Sequence, residues 1–233
     1  MKSIAVMISC AQRASTERAR SLQSLNEAGV IVLIQESPCN PAGPALNKHA
    51  AFHAIRSAYE ISSRVLFLED DITVKPDLTL FLSMAEDLGR ITTFCVLRDR
   101  LYLQDPYGDL TARLVPLNPS QVPLDRRTDG RGGFYGTQAI YLPPHVTSAV
   151  LAHQSDFVRE DGSPLTDEEA GDGFDFWLKR HAAWLGGIFA AFPNPVQHRN
   201  PAKMKSVTRG RPAKDEPGKH RSGSFDLEAA WPT

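Results

Sequence analysis

Arg64-Val65-Leu66-Phe67-Leu68-Glu69-Asp70-Asp71-Ile72 decides the fold class. Its apolar part shows no polar alternation, which suits a strand covered on both faces, and it stops abruptly on three acids. Upstream, Asn47 to Ile61 reads as a helix with Ala51, Ala54, Ile55, Ala58 and Tyr59 on one stripe. Before it lie a Pro/Asn/Gly loop from Ser37 to Pro44, a β-branched run from Val30 to Ile34 expected to be buried on both faces, a helix from Ser15 to Ala28, and a strand from Ile4 to Ser9. Downstream, Pro76 to Leu88 reads as a helix and Thr92 to Leu97 as a strand. Alternating strands and helices of this kind predict an α/β fold of Rossmann-like type, with a mostly parallel sheet between two helical layers.

The remainder is less regular. Asp99 to Arg131 is polar and Pro-rich, reading as long loops with a short strand at Leu114-Val115. Tyr135 to Leu142 and Gly187 to Phe192 are expected strands; Pro144 to His153 and Phe174 to Leu185 are expected helices. From Arg199 onward the pattern dissolves, so the reading is one domain over 1–198 and a flexible basic tail over 199–233.

Composition narrows the class. The chain has 233 residues, 42% apolar and 23% charged, enough for one α/β domain with a real core. No apolar run reaches the ~20 residues that span a bilayer. The N-terminal apolar run is too short for a signal-peptide core. Cys10, Cys39 and Cys95 form neither a metal pattern nor a disulfide framework, which implies a reduced, cytoplasmic protein.

Three consecutive acids at a strand end repel one another unless a cation is present. Open α/β sheets bind ligands beyond the carboxyl ends of their strands, which is where these acids fall. Carboxylates on a hard divalent ion that also holds phosphates describe a Mg²⁺ or Mn²⁺ site. The bland alternative is a solvated acidic turn, or a helix cap ahead of Pro76-Asp77.

Leu68-Glu69-Asp70-Asp71 after a hydrophobic strand resembles the Asp-x-Asp-type motif of glycosyltransferases with the GT-A fold, especially the family-25 lipopolysaccharide enzymes. The resemblance implies that Asp71 binds the metal while Glu69 and Asp70 meet the donor, a UDP-sugar before other nucleotide sugars. Further segments follow in the order it requires. Ser9 and Arg13 would lie where the first loop receives the nucleotide; Gly133 and Gln138, in a Gly-rich stretch ahead of a strand, would line the donor-sugar pocket. Asp175, with Asp172 in reserve, would be the base that accepts the acceptor's proton. His198, in Gln197-His198 after the last strand, would complete the metal shell. Each has an ordinary reading as well: surface arginine, β-bulge, helix cap, loop histidine. With a side-chain base the outcome is inversion at the anomeric carbon; without one, retention.

Between Arg199 and Arg221, eight Lys or Arg face two acids, a local +6 that leaves −7 on the rest of a chain whose net charge is −1. Arg209-Gly210-Arg211-Pro212 with Lys214 resembles an AT-hook core, which would put Arg209, Arg211 and Lys214 on double-stranded DNA. Alternatively, Lys205 and Arg209 would close over the donor diphosphate, and a solvated linker is the plainest reading. The sequence therefore predicts a nucleotide-sugar-dependent hexosyltransferase whose acceptor is a hydroxymethylated base in phage DNA or, second, a cell-envelope saccharide. A non-catalytic DNA-binding relative and a metal-dependent phosphotransferase are the competing classes.

Overall fold

The computed structural model describes residues 3–10, 15–37, 43–95, 112–117 and 137–198. In chain order these form β1 (Ile4–Cys10), α1 (Ser15–Glu27), β2 (Val32–Ser37), α2 (Pro44–Tyr59), β3 (Val65–Glu69), β4 (Ile72–Val74) and α3 (Leu78–Leu88). Then come β5 (Ile91–Thr93), β6 (Arg113–Leu117), β7 (Ala139–Leu142), α4 (Pro144–Ala152), a 3-10 turn (Gln154–Asp156), α5 (Asp167–Ala170), α6 (Phe174–His181), β8 (Ile188–Phe192) and β9 (Val196–His198).

Seven strands make one sheet in the order β2-β1-β3-β7-β5-β8-β6. β2, β1, β3, β5 and β8 share a direction, while β7 and β6 run against it. The expected α/β class with a mostly parallel sheet is what the chain forms. α2, α4 and α6 cover one face over Val6, Val65, Phe67, Ile140 and Leu142. The other face, with Met7, Leu66, Leu68 and Tyr141, packs against α1, α3 and a two-stranded ribbon of β4 and β9. Unbroken apolar runs in β3 and β7 follow from this double cover.

Local stops are conventional. Pro44 begins α2 behind Gly43, and Gly89, in the left-handed conformation at φ 63°, ends α3. Among the described residues no helix is long and apolar enough to cross a membrane.

Several expectations need correction. β2 is an edge strand: Ile31, just before it, is 87% exposed and Ile34 is also exposed. Its β-branched run therefore does not report double burial, since an edge strand tolerates the same residues with one side open. The expected helix from Phe174 ends at His181, and residues 182–186 are turns before the paired glycines Gly186 and Gly187, both at φ 88°. The strand expected at Leu114-Val115 extends over Arg113–Leu117, where its position at the sheet edge accommodates Pro116. β4, β9 and α5 were not expected; each is three or four residues long, too short to show a period.

Candidate active site

Of the three acids only Glu69 lies within β3. Glu69 lies opposite Ile8 of β1, and its amide donates to the Gln138 carbonyl at 2.9 Å, continuing the β3–β7 ladder. Glu69 and Gln138 thus extend the row Phe67–Ile140 toward the α2/α6 side. Asp70 and Asp71 follow in a bend beyond the end of β3, between the strand and β4.

The turn after β3 is held from α1. The buried Ser21 hydroxyl donates to the Asp70 carbonyl at 2.9 Å and to the Ile72 carbonyl at 2.8 Å. β4 then pairs antiparallel with β9, with Ile72 opposite His198. This register brings the backbone of His198, more than a hundred residues distant in sequence, next to Asp71. Asp70 is 2% exposed and Asp71 8% exposed, so this is no solvated acidic turn. The cap alternative also falls away, since α3 begins at Leu78 and its N-cap position is Asp77, not one of the three acids.

Two buried polar atoms stand at the same strand ends. Ser9, at the end of β1, is fully buried, and neither its hydroxyl nor the Gln138 Oε1 has a hydrogen-bond partner among the described residues. Buried polar atoms are normally paired, so two orphans flanking β3 suit a site built for a polar ligand.

Asp175 sits in the first turn of α6. Phe174 packs on Phe67 with ring centroids 5.5 Å apart, which starts α6 beside the carboxyl end of β3 on the Glu69 face. Burial pushes the Asp175 carboxyl up to about 7, against amide hydrogen bonds from Phe176 and its own backbone that favour the ionised form. Nearby Asp172 pushes the same way as burial, and Lys179 opposes it.

The segment that delivers Asp175 is clamped to α2. Asn47 Oδ1 accepts from the Phe174 amide at 2.9 Å, replacing the cap that Gly173 cannot provide. Asp167 Oδ1 accepts in turn from the Ala45 amide at 3.1 Å, near the start of α2. The buried Lys48 ammonium donates to the Ala170 carbonyl at 2.8 Å and lies 3.7 Å from Asp172. Desolvation lowers the Lys48 pKa, partly offset by Asp172. Arg180 also pairs with Asp172. Asp172 is thus tied to two cations, whereas Asp175 carries a proton affinity suited to acid–base work.

The structure brings Ser9, Glu69, Asp70, Asp71, Gln138 and Asp175 to one end of the sheet. Arg13, Gly133, Lys205, Arg209, Arg211 and Lys214 lie outside the described residues, as does the side chain of His198. Ser21 and Asn47 went unread in the sequence. A serine or asparagine inside a helix carries no local sign that it bonds 49 or 127 residues away.

A divalent metal fits this donor set. Among the described residues no three His, Cys, Asp or Glu side chains converge on one point. Hard cations at phosphate sites take one or two carboxylates and fill the remaining positions from phosphate and water. Asp71, buried at the strand end, is the described carboxylate that would hold the ion; the His198 side chain expected beside it lies outside the described residues.

No protein family and no curated protein matches this chain. Among solved structures, a glycosyltransferase involved in the glycosylation of the major capsid of PBCV-1 is similar, with a TM-score of 0.37 and 13% identity over 64% of each chain. The match therefore spans less than two thirds of that protein's length. Drosophila β-1,4-galactosyltransferase 7, a mutant solved with manganese, UDP-Gal and xylobiose, has a TM-score of 0.39 and 10% identity over 92% of this chain and 78% of that one. Likenesses this low carry no correspondence of residues.

Proposed function

We propose that this chain is a divalent-metal-dependent glycosyltransferase that moves a hexose or N-acetylhexosamine from a nucleotide diphosphate, UDP first, to an acceptor hydroxyl. The observation that carries the reading is the buried Asp70-Asp71 turn at the end of β3, with the β9 strand bearing His198 paired beside it. A bound Mn²⁺ or Mg²⁺ would neutralise charge on the departing diphosphate, which in such transfers is the largest catalytic contribution. Ser9 and Gln138 offer to the donor polar atoms that are unpaired among the described residues, with Glu69 beside Gln138. Asp175 accepts the acceptor's proton; a carboxyl near 7 is half ionised at neutral pH and well matched to that role. The catalytic unit runs through residue 198, and Arg13, Gly133, Lys205 and Arg209 complete the donor site.

The acceptor reading rests on charge. A +6 segment on a chain otherwise at −7 favours a polyanion, so a hydroxymethylated base in duplex DNA is preferred to an envelope saccharide. The general test is thermal stabilisation by a panel of nucleotide sugars with and without Mn²⁺. A bound donor raises the melting temperature by mass action, and no metal-dependent shift with any donor removes the reading.

A further inference from the structure

α1 carries a buried hydroxyl at a position where alanine would be the better helix former and would bury no polar atom. Buried serines inside helices commonly bond back to their own preceding turn. Ser21 sends its hydroxyl outward to two carbonyls, those of Asp70 and Ile72. These carbonyls belong to the peptide units on either side of the Asp71–Ile72 peptide. Fixing both leaves little freedom for the backbone dihedrals between them, and those dihedrals set the direction of the Asp71 Cα–Cβ bond. One turn along α1, the Ser24 hydroxyl accepts from the Val74 amide at 3.3 Å and donates to the Ser21 carbonyl at 2.9 Å. It touches the far end of β4 and not the acids.

We propose that Ser21 is a positioning residue for Asp71, its hydroxyl bridging the two carbonyls that flank this carboxylate and so aiming it at a divalent cation. The inference rests on the metal-site reading above. Ser24 stiffens the same ribbon without aiming the carboxylate, and so serves as a control for simple loss of stability.

The test is calorimetric titration of Mn²⁺ in the presence of UDP into the full chain, with melting temperatures recorded alongside. Ser21→Ala weakens Mn²⁺ binding by about tenfold or more, the usual effect of losing an outer-shell partner. Ser21→Thr, which keeps the hydroxyl, restores most of it. Ser24→Ala lowers the melting temperature and leaves Mn²⁺ affinity within about twofold of wild type. Should Ser21→Ala fail to fold, Ser21→Cys keeps the size with a much weaker donor and is expected to show the same loss. Wild-type affinity in a folded Ser21→Ala or Ser21→Cys overturns the proposal while the metal reading stands. Equal losses in the Ser21 and Ser24 variants reduce Ser21 to a structural role. No Mn²⁺ binding by the wild-type chain overturns the metal reading and this proposal together.

Discussion

Asp175 and Asp172 are three residues apart, both at the start of α6, yet their surroundings assign them different work. Asp172 is ion-paired with Lys48 and Arg180, which ties its carboxylate to structure. Among the described residues the helix amides and Lys179 favour the charge of Asp175, and burial outweighs them. Asp175→Asn should lower turnover by ~10²-fold or more while donor binding persists. The wild-type rate should fall as pH drops below about 7, where the carboxyl protonates. Stability follows the same group with a definite sign. The folded chain binds this proton more tightly than a free Asp at 3.8, so the contribution is complete below about pH 4 and is lost as pH rises to about 7. It is worth at most about 4 kcal/mol. Denaturant titrations at pH 4 and pH 8 should show Asp175→Asn losing less stability between them than wild type, and equal losses would contradict the burial argument. Asp71→Ala, in contrast, should abolish Mn²⁺-dependent donor binding without lowering stability in the absence of metal, because it removes one charge from a buried acidic turn. Calorimetry with UDP-sugar and Mn²⁺ decides it: unchanged affinity would remove the central claim.

At the scale of elements, the site depends on two clamps, α1 on the acid turn and α2 on the start of α6. Gly173 lies in the second. A Cβ there would meet Asp175 Oδ1 at 2.9 Å and Asn47 Oδ1 at 3.0 Å, so both groups must move by a few tenths of an ångström to admit it. Gly173→Ala should therefore reduce turnover at least tenfold, because small misplacements of a reacting group are expensive in rate. Its stability cost should stay near 1 kcal/mol, since φ at Gly173 is −78° and ordinary for alanine. Steady-state kinetics and melting curves on one preparation check the split, and a stability loss with intact turnover would argue against a catalytic Asp175. The sequence made the strand bearing the acids legible through its unbroken apolar run, and the helices through apolar stripes that persist for two turns or more. It did not disclose the β4–β9 ribbon or the clamps. Three-residue strands have no period, and Ser21 and Asn47 act through single bonds to distant backbone. The Val30–Ile34 run misled for another reason: residue type records β preference, whereas exposure depends on which strand ends the sheet.

For the molecule as a whole, the relevant quantity is the uneven distribution of charge, −7 on most of the chain against +6 between Arg199 and Arg221. An acidic body repels a polyanion and a basic segment attracts it, so binding to DNA should be governed by that segment and by salt. If Arg209 and Arg211 enter a minor groove, A/T-rich duplex should bind more tightly than G/C-rich duplex, because the narrow groove there concentrates negative potential. Each phosphate neutralised releases counterions, so affinity should fall steeply between two salt concentrations in a gel shift. Changing both arginines to alanine should erase the A/T preference and lower the slope of log affinity against log salt by roughly 2. Transfer to a free hydroxymethylated nucleoside should change little. If this segment instead closes over the donor diphosphate, the same double variant raises the apparent donor constant on every acceptor and has no duplex signal to lose. Wild-type protein with no gel shift even at low salt would remove the duplex as acceptor and direct attention to a cell-envelope saccharide.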